Sequence, residues 1–121
     1  MTSLIAFFEI PSANFDRTVS FYETIFNINL PVHGCEKEKM AFFTEQEQYV
    51  GAISFAPNFT PSPNGVLIHF RCADIEGTLL RVASNGGEVI TPKTKIDAGS
   101  AKYFAVFSDS EGNHIGLYSE N

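Results

Sequence analysis

The sequence predicts an α+β domain of two βαβββ modules whose eight strands form a curved, mostly antiparallel sheet around a cavity, with the helices outside. Three observations predict it: a core-forming composition, an internal repeat, and the same order of strand and helix patterns in each repeat. The chain has 121 residues, of which 44% are hydrophobic and twelve are Phe. That length fits one domain with a real core, and most of the Phe must be inside it. The repeat shows in two segments. Ala13-Asn14-Phe15-Asp16-Arg17-Thr18 matches Ala73-Asp74-Ile75-Glu76-Gly77-Thr78 sixty positions later, and Tyr49-Val50-Gly51-Ala52-Ile53-Ser54 matches His114-Ile115-Gly116-Leu117-Tyr118-Ser119 sixty-five positions later. Either match alone could arise by chance. Both in the same order indicate duplication of one structural unit.

The elements follow in order. Ile5 to Ile10 reads as a strand with apolar residues on both faces. Asn14 then caps a helix through Phe26, with Phe15, Val19, Tyr22 and Phe26 at helical spacing. Three strands are expected at about 28–35, 39–45 and 48–55. Pro57, Pro61 and Pro63 mark residues 56–65 as a linker, so the first module covers about 4–55. The order then restarts. Val66 to Cys72 is a strand, Asp74 caps a helix carrying Ile75, Leu79, Leu80 and Val82, and Gly86-Gly87 ends it. Strands at about 88–91, 101–107 and 113–119 complete a second module of about 66–119, with the last turn at Asp109-Ser110-Glu111-Gly112-Asn113.

Eight Lys and Arg against fourteen Asp and Glu give a formal net charge of −6. Nucleic acid is therefore an unsuitable partner, because phosphate neutralisation supplies most of that affinity. Cationic or neutral small molecules fit the charge better. The start of the chain has no basic segment, and Glu9 interrupts its apolar run, so neither a signal peptide nor a membrane span is expected. Cys35 and Cys72 lack metal-type spacing and read as reduced thiols, Cys72 buried, in a cytoplasmic protein.

Two segments carry a family resemblance. Phe8-Glu9-Ile10-Pro11…Phe15-Asp16-Arg17-Thr18…Phe21-Tyr22 and Phe107-Ser108-Asp109-Ser110-Glu111-Gly112-Asn113-His114-Ile115-Gly116-Leu117-Tyr118 resemble the vicinal oxygen chelate superfamily. That group includes glyoxalase I, extradiol dioxygenases, fosfomycin-resistance proteins and bleomycin-binding proteins. The resemblance runs from about Leu4 to Tyr118 and is specific for fold rather than reaction. It implies a homodimer. It also implies four inward positions that hold a divalent metal in metal-using members, one on the first and one on the last strand of each module. Those positions fall on Phe7, Gly51, Leu67 and Gly116, none of which has a side-chain donor. A shift of one residue gives Phe8, Ala52, Ile68 and Leu117, or Ala6, Val50, Val66 and Ile115, and supplies no donor set either. No metal and no other cofactor are expected.

The remaining polar candidates follow from strand alternation. Phe7 shares a face with Glu9, and Leu67 with His69 and Arg71, while Ile68, Phe70 and Cys72 point toward the helix. The repeat pairs Glu9 with His69. Together they could bind a ligand or move a proton, or they could be solvated groups at a rim. Tyr49 and His114 share the expected cavity face with Gly51 and Gly116, and their rings could sandwich a planar ligand against Phe7 or simply fill vacated space. His33, near a strand end, reads as surface. No catalytic residue can be assigned. Three functions remain open: a metal-independent small-molecule binder similar to the bleomycin-binding branch, a glyoxalase- or dioxygenase-like enzyme with an atypical site on Glu9, His69 or His114, and a structural or interaction module.

Overall fold

The computed structural model describes residues 3–121. Among them, ten elements follow one another: β1 (Phe8–Pro11), α1 (Phe15–Phe26), β2 (Val32–Gly34), β3 (Lys39–Glu45), β4 (Gln48–Phe55), β5 (His69–Arg71), α2 (Ile75–Ser84), β6 (Glu88–Lys95), β7 (Tyr103–Ser108) and β8 (His114–Ser119). Each half has the expected strand-helix-strand-strand-strand order. The eight strands divide into two four-stranded sheets, ordered β1-β4-β3-β2 and β5-β8-β7-β6. In each sheet the first strand lies parallel to the last, and the other pairings are antiparallel. No ladder joins β1 to β5, so the curved sheet has a seam between the modules.

Capping sets both helix starts. The Asn14 side chain accepts from the Arg17 amide at 3.2 Å, and that of Asp74 from the Gly77 amide at 3.1 Å. α1 ends at Asn27, whose left-handed backbone (φ 54°) suits asparagine. α2 ends through Asn85 and Gly86 (φ 94°), where glycine avoids the strain a side chain would bring. β1 and β5 are shorter than expected because Ile5, Val66 and Leu67 find no ladder partner. β6 is longer, since Thr94 and Lys95 pair with Phe104 and Tyr103 across a register shift.

One core serves both modules. α1 buries Phe15, Phe21, Tyr22 and Ile25, and α2 buries Ile75, Leu79 and Val82. Ile10, Ala41, Phe43 and Ile53 face them from the first sheet, and Ala105, Phe107, Ile115 and Leu117 from the second. Phe21 packs on Phe107 at 6.0 Å and Tyr22 on Phe43 at 5.8 Å, so α1 binds the two sheets together. Each such aromatic contributes roughly 1.5–3 kcal/mol by leaving water. No helix among the described residues is long and apolar enough to cross a membrane.

Candidate functional site

Each sheet packs one face into the core and leaves the other open. In the first sheet Ile10, Ile53, Ala41 and Phe43 point inward, so alternation sends Phe7, Glu9, Phe42, Ala52 and Ser54 outward. The Glu9 carboxylate accepts a 2.7 Å hydrogen bond from the Ser54 hydroxyl. Beside it stands an aromatic cluster. Phe42 stacks on Tyr49 with centroids 4.2 Å apart, His33 meets Phe42 edge-on at 5.5 Å, and Phe7 lies 6.2 Å from Phe42. His33 Nε2 and the Tyr49 hydroxyl are 3.3 Å apart. Phe7 remains 37% and Tyr49 45% exposed, an unusual cost for aromatic side chains in a monomer. His33 reads as surface in the sequence but belongs to this cluster, and Phe42 and Ser54 are not singled out there, because the run Met40-Ala41-Phe42-Phe43 does not show which of its residues face outward.

In the second sheet the open face carries His69, Arg71, Val106, His114, Gly116 and Tyr118. The His69 ring lies over Gly116, where any Cβ would collide with it. Leu67, just before β5, is 42% exposed. Arg71 lies over the Tyr118 ring at 5.1 Å and pairs with Glu120 at 3.0 Å.

Two expectations about this face change. Gly51 does not share it with Tyr49: Gly51 pairs with Phe8 and Phe43 on the core side, and the Phe8 ring occupies the space a Gly51 side chain would need. The cause is a β-bulge. Between the Phe43–Gly51 and Thr44–Tyr49 pairs, β4 advances two residues while β3 advances one, so Val50 is unpaired and flips the alternation. Glu9 and His69 face open sides of separate sheets, and neither a hydrogen bond nor an ion pair joins them; Glu9 is held by Ser54 instead. Tyr49 and His114 do hold equivalent ladder positions, opposite Thr44 and Ser108. The Tyr49 ring joins the cluster with Phe7, whereas His114 makes no ring contact with it.

The bulge also moves one inward position of the metal-using pattern. Ala41 pairs with Ile53 as Ala105 pairs with Leu117, so the counterpart of Gly116 is Ala52 rather than Gly51. Phe7, Ala52, Leu67 and Gly116 offer no oxygen or nitrogen donor from a side chain. Among the described residues, His, Cys, Asp and Glu side chains nowhere gather in groups of three. These residues do not fit a divalent ion, which needs about three protein ligands at a catalytic centre.

The turn between β7 and β8 fastens the second module to the first. Glu111 accepts from the Ala13 and Asn14 amides, from Ser110, and from Arg17 through Nε (2.8 Å) and Nη2 (3.1 Å). Burial favours its neutral form, but these donors outweigh that and bring its pKa down to about 2. Asp109 accepts from the Tyr22 hydroxyl at 2.6 Å and from the Glu111 and Asn113 amides, while Asn113 donates to the Pro11 carbonyl. Burial, then the charge of Asp109, pushes the Tyr22 phenol well above its ordinary range. These hydrogen bonds hold the fold together. The turn is a clasp rather than a reactive centre.

A cavity lies elsewhere, at the seam. A cleft of about 890 Å³ opens between the end of α1, the edge of β5 and the start of α2. Phe8, Phe26, Phe43 and Phe70 form its floor, and Arg71 and Arg81 stand at its rim. Of the residues expected to point toward the helix, Phe70 and Cys72 pack against the core, and Ile68, Phe70 and Cys72 all line this cleft. His69 is the one sequence-predicted site residue among its walls. Burial raises the Cys72 thiol pKa there, while backbone amides of Glu38 and Lys37 lower that of the exposed Cys35; both cysteines are free.

Comparison with known proteins agrees with this architecture. The solved structures similar to the chain include a glyoxalase/bleomycin resistance protein from Albidiferax ferrireducens T118 (TM-score 0.71, 18% identity, 97% of this chain and 98% of that one). The genomically encoded fosfomycin resistance protein FosX from Listeria monocytogenes gives a TM-score of 0.70 at 16% identity, over 98% of this chain and 92% of that one. A glyoxalase I mutant from Zea mays gives 0.71 at 18% identity, over 93% of this chain and 45% of that longer one. At such identities these likenesses establish the fold alone. A search of curated protein sequences finds no match. The sequence pattern of one family spans residues 4–117, and the chain accordingly belongs to the Glyoxalase/Bleomycin resistance protein/Dioxygenase superfamily.

Proposed function

We propose that this superfamily member is a metal-independent small-molecule-binding protein, cytoplasmic and homodimeric, whose ligand lies on the open sheet faces between two copies of the chain. The observation that carries the reading is the half-exposed aromatic cluster of Phe7, Phe42, Tyr49 and His33 beside the Glu9 carboxylate. Stacked rings with an adjacent negative charge favour a planar cationic or neutral compound, through π-contact and cation–π attraction. The net charge of −6 acts in the same direction. The absence of donors at Phe7, Ala52, Leu67 and Gly116 supports independence from metal.

The test is thermal-shift screening of the whole chain with planar cationic, neutral and anionic aromatics, each with and without zinc, nickel, iron or manganese. Cationic and neutral planar compounds should raise the melting temperature, equally with metal or chelator present, and Tyr49→Ala should abolish the shift. A shift that requires a divalent ion would overturn metal independence and place the enzyme reading first.

A further inference from the structure

We propose that the cleft at the seam between the modules is a second binding site, and that its ligand is an amphipathic organic anion: an aromatic or branched apolar body carrying a carboxylate. It is distinct from the aromatic cluster of the first sheet, although His69, Arg71 and Tyr118 border both this cleft and the open face of the second sheet.

The cleft has the size and place of a ligand site. Its volume of about 890 Å³ falls within the range of small-molecule pockets, roughly 300–1,000 Å³, and it lies at a junction between structural units. The floor is aromatic and already organised. Phe70 stands 4.8 Å from Phe26, 5.2 Å from Phe43 and 5.8 Å from Phe8, yet it is only partly buried because its remaining face looks into the cleft. Those contacts hold the rings in place before any ligand arrives, so little side-chain entropy is lost on binding.

The polar groups at the rim select an anion. Two of the three arginines in this acidic chain, Arg71 and Arg81, border the one cleft. Arg71 is partly neutralised by Glu120, but Arg81 has no carboxylate partner among the described residues. Its Nε donates to the Ile25 carbonyl and its Nη2 to Thr78, which fixes the guanidinium at the end of α1 and leaves Nη1 free. Two carboxylates, Glu45 and Asp74, also border the cleft; Asp74 is committed to capping α2 through the Gly77 amide. The strand edge adds further donors. Ile68 accepts from Gly116 and Cys72 donates to Tyr118, so alternate residues of β5 bond to β8. His69 and Arg71 between them therefore turn their backbone N–H and C=O groups away from β8, along the open edge that borders the cleft. A fixed guanidinium beside two free amides matches a carboxylate better than an ammonium or a neutral head.

The experiment is titration of the full chain with 1-naphthoate, 1-naphthalenemethanol and 1-naphthylmethylammonium, followed by calorimetry and by amide and aromatic NMR. Naphthoate should bind about tenfold or more tightly than the other two, the ratio expected of one charge-assisted hydrogen bond. Its shifts should centre on Phe26, Phe70 and Arg81 rather than on Phe42 and Tyr49. Arg81→Gln should remove the preference for the anion and Arg81→Lys should largely keep it. Ile28→Trp, at an exposed wall position, should block all three compounds without touching the clasp of α1 by Arg81. Equal binding of the ammonium compound, unchanged affinity in Ile28→Trp, or shifts confined to Tyr49 and Phe42 would each overturn the proposal. The last result would leave the open-face reading standing, and loss of binding in Tyr49→Ala would test that reading alone.

Discussion

A single carboxylate shows how far one residue can act in this fold. Glu111 sits on the β7–β8 turn of the second module, yet its partners are Ala13, Asn14 and Arg17 at the start of α1 in the first. It thus satisfies the two amides just ahead of α1, and it adds negative charge where the helix dipole favours it. Its pKa, lowered from 4.5 to about 2, makes this contribution depend on pH. The folded state holds the carboxylate more strongly ionised than the unfolded state does. The stabilisation is therefore complete above about pH 5 and is lost as pH falls from there toward 2. Glu111→Gln should lower stability at pH 7 by about 2 kcal/mol, as expected for charge-assisted hydrogen bonds, and should flatten the acid side of the stability profile. Urea unfolding of both proteins between pH 3 and pH 7 checks both. Parallel profiles would show that the clasp is not the acid-sensitive contact.

At the scale of the element, the bulge in β4 decides what the open face displays. Val50 lets Tyr49 stack on Phe42 outside while Gly51 turns in beneath Phe8. A methyl at Gly51 would meet the Phe8 ring, which is itself fixed by Phe43 at 5.6 Å and Phe70 at 5.8 Å. Gly51→Ala should therefore overpack the core and cost about 1–3 kcal/mol. Gly65→Ala, where nothing lies within 4 Å, should cost far less. The comparison of urea midpoints is direct, because both substitutions add one methyl and only one meets a packed ring.

At the scale of the whole molecule, the unpaired features mark the surface that a second copy would cover in the proposed dimer. Phe7, Tyr49 and Leu67 stand half-exposed on the open faces, and β1 and β5 each lack a neighbour on one side. Burying the faces against a second copy would remove apolar area from water and complete the proposed binding cavity. Sedimentation equilibrium at micromolar concentration should give twice the chain mass, and Tyr49→Asp should shift the population toward the single chain. A monomer for the unaltered protein would count against the dimer.

The sequence by itself determined the module plan. Composition, the caps at Asn14 and Asp74, the prolines of 56–65 and the repeat are local signals, and they lead to α1, α2 and eight strands in the right order. It also determined the lack of donor side chains at Phe7, Leu67 and Gly116, since residue type needs no structure to read. Tertiary structure decided where those residues meet. A sixty-five-residue offset fits Tyr49 with His114, but one unpaired Val50 changes the offset beyond it, and no propensity marks that residue as a bulge. Glu9 and His69 are equivalent by repeat and separate in space, because equivalence follows the chain while contact follows the docking of one module on the other. The cleft at the seam was hidden for the same reason. Its walls come from α1, β3, β5 and α2, far apart in sequence, and only the packing of α1 against both sheets brings them around one space.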